Sequence, residues 1–86
     1  MVELNKIELA ILSTIYKYAV ANPQNPELRF KEIRDLTLEK YPKLKEESKS
    51  ESWWPVTCAR ALDRLVRFGL LLRFRYSHKD VKYKIK

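Results

Sequence analysis

Three arginines recur on one side of a helix that the sequence predicts over residues 53–68. At about 100° per residue, Arg64 and Arg67 lie within about 40° of Arg60, and Thr57 lies about 60° away. The planar guanidinium group makes forked contacts with phosphate and with guanine in the major groove. The row therefore favours contact with a polyanion, and an ordinary charged outer helix face is the alternative.

A second group of cations lies in the last segment of the chain, where apolar and polar residues alternate with a period of two. This alternation predicts a β-hairpin that turns at residues 77–80. A four-residue turn places Arg73 opposite Lys84 and Arg75 opposite Lys82 on the outer face. Like charges that face each other destabilise a sheet, and a bound polyanion would relieve the repulsion. The inner face then pairs Phe74 with Tyr83, Tyr76 with Val81 and Leu72 with Ile85.

The charge of the chain is concentrated in this same C-terminal part. The 86 residues carry 18 Lys and Arg against 11 Asp and Glu, for a net charge of +7. Residues 1–52 hold nine of each sign, whereas residues 53–86 hold nine cations and only Asp63 and Asp80. A basic half beside a neutral half indicates one surface suited to a polyanion. A solvated surface kept for solubility is the alternative.

The remaining reactive residues argue against several chemistries. A single glycine excludes a glycine-rich phosphate loop. One Cys58 and one His78 supply neither a disulfide nor a four-ligand zinc site. His78 lies in the predicted turn, where nothing orients it for catalysis. We therefore expect no enzymatic activity, no cofactor and no metal.

The apolar runs are too short to span a bilayer, and the first residues lack the pattern of a signal peptide. Together with the free cysteine, this predicts a cytoplasmic protein.

The elements that position these residues begin with a helix over residues 6–21, which Asn5 and Glu8 are placed to cap. Its inward stripe is predicted to contain Ile7, Ile11, Ile15 and Tyr18. A second apolar stripe lies about 150° away, so the helix has more apolar surface than packing on one side requires. The helix is therefore either central to the domain or also a dimer contact. The second stripe consists of Leu9, Leu12, Tyr16 and Val20.

The rest of the chain predicts a single α+β domain over residues 1–86. A short strand covers residues 28–30, and a second helix covers residues 31–40 with Ile33, Leu36 and Tyr41 inward. Residues 42–52 are predicted to form an exposed, mobile loop. The third helix, capped by Ser52, ends before Gly69, which suits a left-handed C-cap with Leu70 on Leu65. A two-stranded hairpin covers residues 71–86, and the third helix places Cys58, Ala59, Leu62, Leu65 and Val66 in the core.

This order of elements resembles the winged helix-turn-helix superfamily of DNA-binding domains, over nearly the whole chain. Residues 60–71, RALDRLVRFGLL, resemble the end of a recognition helix and its exit into the wing in small bacterial, archaeal and archaeal-virus regulators. The resemblance implies base contacts from Thr57, Arg60, Ala61 and Arg64. Arg67 either joins them or interacts with the helix dipole. The wing implies phosphate or minor-groove contacts from Arg73, Arg75, His78, Lys79, Lys82 and Lys84.

One feature departs from the pattern, because about eleven residues separate the second and third helices where a few are usual. They lead into Trp53 and Trp54, of which one ring is expected to close the core or to staple the helix start. In the alternative interpretation, an exposed tryptophan contacts a partner protein. A dimer interface is predicted from Leu9, Leu12, Tyr16, Val20 and Trp54.

Together these patterns predict a small protein that binds double-stranded DNA, a transcriptional regulator that acts as a homodimer. A protein-interaction adaptor in a replication, transcription or ribosomal complex is one alternative. Binding of structured RNA is another, since basic residues alone do not distinguish the two nucleic acids.

Overall fold

A computed structural model describes residues 3–44 and 53–86, except the side chain of Trp53. The described residues form an α+β fold with three helices and a three-stranded antiparallel sheet, which confirms the predicted α+β class. Predicted boundaries agree within one residue for the helices and the first strand. The loop predicted for residues 42–52 and the Ser52 cap lie largely outside the described residues. In chain order the elements are α1 (Lys6–Ala21), β1 (Leu28–Arg29), α2 (Phe30–Lys40), α3 (Trp53–Arg67), β2 (Leu71–Arg75) and β3 (Val81–Ile85).

Helix α1 begins with the predicted capping box. The Asn5 side chain accepts a hydrogen bond from the Glu8 amide at 2.8 Å, and the Glu8 carboxylate accepts one from the Asn5 amide at 2.9 Å. These bonds satisfy two amides that a helix start leaves without a partner. Ile11 and Ile15 are fully buried, which confirms the inward stripe.

Helix α3 ends in a Schellman motif, as the position of the single glycine predicts. Gly69 has a φ of 76°, in the left-handed region that side chains disfavour. The Leu70 amide donates to the Leu65 carbonyl and the Gly69 amide to the Val66 carbonyl, both at 3.0 Å. Leu70 also packs against the core. The reversal directs the chain from α3 straight into β2.

The sheet has the strand order β1-β3-β2, so the short strand is its third member. Leu28 of β1 pairs with Tyr83 of the central β3, and both side chains are buried. The inner face of the sheet is therefore the one that carries Leu28, Leu71 and Tyr83. The helices pack on this face.

The predicted hairpin register is wrong by one residue. The turn does close between Ser77 and Asp80, but the amides of Tyr76 and Ser77 both donate to the Asp80 carbonyl, at 2.8 and 3.3 Å. Two successive amides on one carbonyl are the pattern of a classic β-bulge, and its extra residue moves every side chain of β2 to the opposite face. The strands pair Leu71 with Ile85, Leu72 with Lys84, Arg73 with Tyr83, Phe74 with Lys82 and Arg75 with Val81.

The new register removes both predicted pairs of like charges, Arg73 with Lys84 and Arg75 with Lys82. It also contradicts the predicted inner face, because Leu72, Phe74 and Tyr76 lie on the outer face. Arg73 and Arg75 lie on the inner face instead. The repulsion expected from these two pairs is therefore absent, and it gives no support for a bound polyanion.

Trp54 is a core residue, 2% exposed, and its indole N–H donates to the Arg34 carbonyl at 3.3 Å. This burial confirms that one tryptophan closes the core and contradicts its assignment to a dimer or partner interface. Leu44, predicted to be exposed, is buried because the turn at residues 41–44 folds back onto the core. Ala59, predicted to be buried, is exposed because the core side of α3 follows Trp54, Cys58, Leu62 and Leu65.

No helix within the described residues is both long enough and apolar enough to cross a membrane.

Candidate nucleic-acid interface

The exposed side of α3 is rotated about the helix axis relative to the predicted row of Thr57 and the arginines. Its exposed residues include Val56, Arg60, Asp63 and Arg67, which recur every three or four positions. Among the described residues, neither Arg60 nor Arg67 has an ion-pair partner. These two cations are therefore available to a ligand in front of the helix.

Arg64 is held by α1 instead. Its Nε atom lies 3.1 Å from Oε2 of Glu8, a carboxylate that is completely buried. The guanidinium also lies over the Phe68 ring, 5.1 Å from the centroid. Because a buried carboxylate without a counter-charge is costly, Arg64 is bound to the fold rather than free for base contacts.

Ala61 and Thr57, which were also predicted to contact bases, lie against the start of α1. Ala61 is 5% exposed, and its burial contradicts a role in base recognition. Thr57 is half-buried, and its Oγ1 atom is buried without a hydrogen-bond partner. Both residues line a small cleft against Asn5 and Ile7 at the start of α1. The side of α3 to which the winged-helix resemblance assigns base contacts is thus partly covered by the start of α1.

Arg73 connects the sheet to the exposed side of α3. Its guanidinium forms an ion pair with the Asp63 carboxylate and lies 5.4 Å from the centroid of the Tyr83 ring. The hydrogen bond from Arg73 lowers the pKa of Asp63, and the same bond raises the pKa of Arg73. The pair fixes the position of β2 relative to α3.

A groove runs between α3 and the inner face of the hairpin. Arg60, Arg73 and Arg75 line it, and Asp63 is the only acidic residue among the described ones that does. Val56, Val81 and Tyr83 contribute apolar walls. The structure therefore brings arginines from the helix and the sheet together on one concave surface, which we call the helix–sheet groove. Three arginines facing one acid give this surface a positive potential.

Lys82 and Lys84 are not part of this groove. In the observed register they lie on the outer face of the sheet with Leu72 and Phe74. The predicted set of wing cations is thus divided between two opposite faces.

The hairpin turn carries His78 and Lys79, both exposed as predicted. Asp80 accepts a hydrogen bond from Arg29 of β1 at 3.3 Å, and the Tyr76 hydroxyl donates to Glu27 at 2.7 Å. The base of the turn is therefore attached to the segment around β1, while its tip is open to a ligand.

The chain matches no protein-family profile, no curated protein and no solved structure.

Other chemistry is limited within the described residues. They contain no group of three or more His, Cys, Asp or Glu side chains able to hold a metal ion. Cys58 is buried, and burial raises the pKa of its thiol to about 12. The thiolate form is thus rare at neutral pH.

The second apolar stripe of α1 remains at the surface. Leu9, Tyr16 and Val20 are each more than half exposed, and Leu12 is half-buried. Apolar clefts lie on both sides, one toward Tyr41 and Leu44 and one toward Leu70 and Ile85.

The sequence did not predict the positions or roles of three residues at these surfaces, Asp63, Phe74 and Tyr76. The sequence pattern assigns no role to Asp63, although its ion pair with Arg73 determines how that arginine is presented. Phe74 and Tyr76 were assigned to the core because their spacing matched an inward strand face. No local signal marked the bulge that turns them outward, since it depends on hydrogen bonds across the hairpin.

Proposed function

We propose that this protein is a winged-helix protein that binds double-stranded DNA and regulates transcription. The observation that carries the proposal is the meeting of Arg60, Arg73 and Arg75 in the helix–sheet groove. A concave surface with three arginines suits a phosphate backbone, because arginine makes forked, charge-assisted hydrogen bonds to phosphate oxygens. The order of three helices and a C-terminal hairpin supports the assignment.

In this arrangement the exposed side of α3 enters the major groove. Arg60 and Arg67 face the bases or the adjacent phosphates, and Arg75 contacts the backbone that passes between helix and sheet. The exposed His78 and Lys79 contact the flanking minor groove or its phosphates.

We further propose that the protein acts as a homodimer through the second stripe of α1. One module of this size reads few base pairs, and a symmetric dimer doubles the contacted site. Leu9, Tyr16 and Val20 supply an exposed apolar surface on one helix, and a two-fold axis would bring the same apolar stripe of a second copy against it.

A salt titration of duplex binding tests the DNA proposal. Contacts with about five phosphates per protomer predict a slope of roughly −4 to −5 in a plot of log affinity against log salt, doubled for a dimer. The double variant Arg60→Gln, Arg75→Gln removes one or two of these contacts and should make the slope less negative by about 0.9 to 1.8 per protomer. Fluorescence anisotropy with a labelled duplex measures both quantities.

The double variant Lys17→Gln, Lys31→Gln is the matched control. Lys17 on α1 and Lys31 on α2 are exposed and do not line the helix–sheet groove, so the same loss of net charge should change the slope little. A slope that is independent of salt, or an equal effect of both double variants, would contradict the proposal.

A further inference from the structure

The outer face of the sheet carries aromatic rings at the β2 side and cations on β3 and β1. Across the strands, Arg29 pairs with Lys82, and Lys82 pairs with Phe74. In the next row, Lys84 pairs with Leu72. Tyr76 follows at the bulge. We call this surface, made of Arg29, Leu72, Phe74, Tyr76, Lys82 and Lys84, the outer sheet face.

The two rings of this face are stacked on each other. The Phe74 and Tyr76 centroids lie 6.3 Å apart with the ring planes 29° from parallel. Tyr76 is 56% exposed, and its hydroxyl donates to Glu27 at 2.7 Å. This bond holds the phenol in place while its ring remains accessible. A fixed, exposed aromatic ring is a platform on which another flat group can stack.

The lysines lie close to the rings. Lys82 Nζ is 5.5 Å from the Tyr76 centroid, and Lys84 Nζ is 5.6 Å from the Phe74 centroid. Neither lysine has a carboxylate partner among the described residues. An exposed cation–π contact is weak, so an arriving base can take the ring while the ammonium group moves to a phosphate.

The acidic groups near this face are already engaged. Glu27 accepts the Tyr76 hydroxyl, and Asp80 pairs with Arg29 at 3.3 Å. The face therefore presents two lysines and two ring surfaces with little competing negative charge. This charge pattern complements a ligand that carries both phosphates and exposed planar groups.

We propose that the outer sheet face binds single-stranded nucleic acid, with bases stacked on Tyr76 and Phe74 and phosphates near Lys82 and Lys84. Aromatic rings on a sheet flanked by cations suit single strands, because unpaired bases offer their flat faces to a protein. In a duplex the bases are stacked on one another, so exposed rings gain nothing from them. The proposal is independent of duplex binding, since the helix–sheet groove lies on the other face.

Fluorescence anisotropy with labelled oligonucleotides tests this proposal. The probes are dT12, rU12 and a duplex, each titrated with the whole chain at low salt. We expect the native protein to bind both single strands, and the ratio of the two affinities shows whether DNA or RNA is the better ligand. Tyr76→Leu, which keeps an apolar side chain but removes the ring, should weaken dT12 or rU12 binding about tenfold. Its duplex binding should stay within twofold of native.

Two further variants keep the result decisive. Lys84→Gln should make the single-strand salt slope less negative by about 0.7, and it preserves both rings if Tyr76→Leu fails to fold by circular dichroism. The double variant Arg60→Gln, Arg75→Gln should lose duplex affinity and keep single-strand affinity. The proposal is overturned if the native protein binds neither single strand. It is equally overturned if neither Tyr76→Leu nor Lys84→Gln reduces single-strand binding, or if each reduces duplex binding equally.

Discussion

Arg60 and Arg64 lie one turn apart on α3, yet their environments are opposite. Arg60 is exposed and lines the helix–sheet groove, whereas Arg64 is paired with the buried Glu8 carboxylate. Helical angle alone places both on one row. Only the packing of α1 against α3 separates an available cation from a structural one.

Replacing Arg64 should therefore reduce stability. Arg64→Ala leaves Glu8 buried without a counter-charge, and we expect the free energy of unfolding to fall by about 1–2 kcal/mol in urea denaturation. This loss of unfolding free energy is smaller than the roughly 3–5 kcal/mol typical of breaking a fully buried ion pair, because Arg64 is about half exposed. Arg60→Ala, the matched control, should change stability by less than about 0.5 kcal/mol and weaken duplex binding instead. Equal stability of the two variants would contradict the assigned roles.

Asp63 lowers the positive charge of the helix–sheet groove, because its carboxylate forms an ion pair with Arg73. Asp63→Asn should release that arginine, raise duplex affinity and steepen the salt slope by about 0.9 per protomer. Glu39→Gln on α2 removes the same charge at an exposed position outside the groove and serves as control. The idea fails if Asp63→Asn binds no more tightly than this control.

The pH dependence of the same pair has a definite sign. Arg73 lowers the pKa of Asp63 in the folded state, so the pair stabilises the fold fully above the ordinary carboxyl pKa of about 4. This stabilisation is lost as the pH falls through the lowered value. The effect of Asp63→Asn on stability should thus be constant from pH 5 to pH 7.

At the scale of elements, the ends of helices were the most predictable features. The Asn5 capping box and the Gly69 Schellman motif both depend on residues within one turn, so they were readable from the sequence. The side of the sheet on which each β2 side chain lies could not be predicted in this way. A single bulge residue near Ser77 reverses inside and outside, and its hydrogen bonds join residues on different strands.

Gly69 provides a test of an element boundary. Gly69→Ala should reduce the free energy of unfolding by about 1–2 kcal/mol, because alanine disfavours the left-handed backbone conformation. An added Cβ would meet only Lys86 Nζ, at 3.9 Å, so the cost is conformational rather than steric. Gly69→Asn should lose less, since asparagine tolerates this region. Urea midpoints with unchanged m-values measure both, and an alanine variant as stable as the native chain would exclude the motif as a stabilising feature.

At the scale of the whole molecule, the cations of α3 and the hairpin are divided between two surfaces. The helix–sheet groove carries arginines, and the outer sheet face carries lysines beside aromatic rings. The apolar stripe of α1 forms a third exposed surface. The described residues thus form three separate surfaces, to which we assign the proposed duplex binding, single-strand binding and self-association.

Tyr16→Glu tests the third surface. Sedimentation equilibrium should give the native chain twice the mass of its 10.3 kDa monomer, whereas a charge within the apolar stripe should shift the variant to the monomer mass. Lys17→Glu, at the adjacent exposed position, should remain dimeric. A native protein that sediments as a monomer would refute the dimer.

The sequence by itself determined the α+β composition, the helix limits, the inward stripe of α1 and the concentration of charge after residue 52. These properties follow from local caps, helical periodicity and composition. Only the tertiary structure decided which cations share a surface, because that depends on hairpin register and on contacts between residues distant in the chain. The pairing of Glu8 with Arg64, and the separation of Arg73 and Arg75 from Lys82 and Lys84, arise at this level.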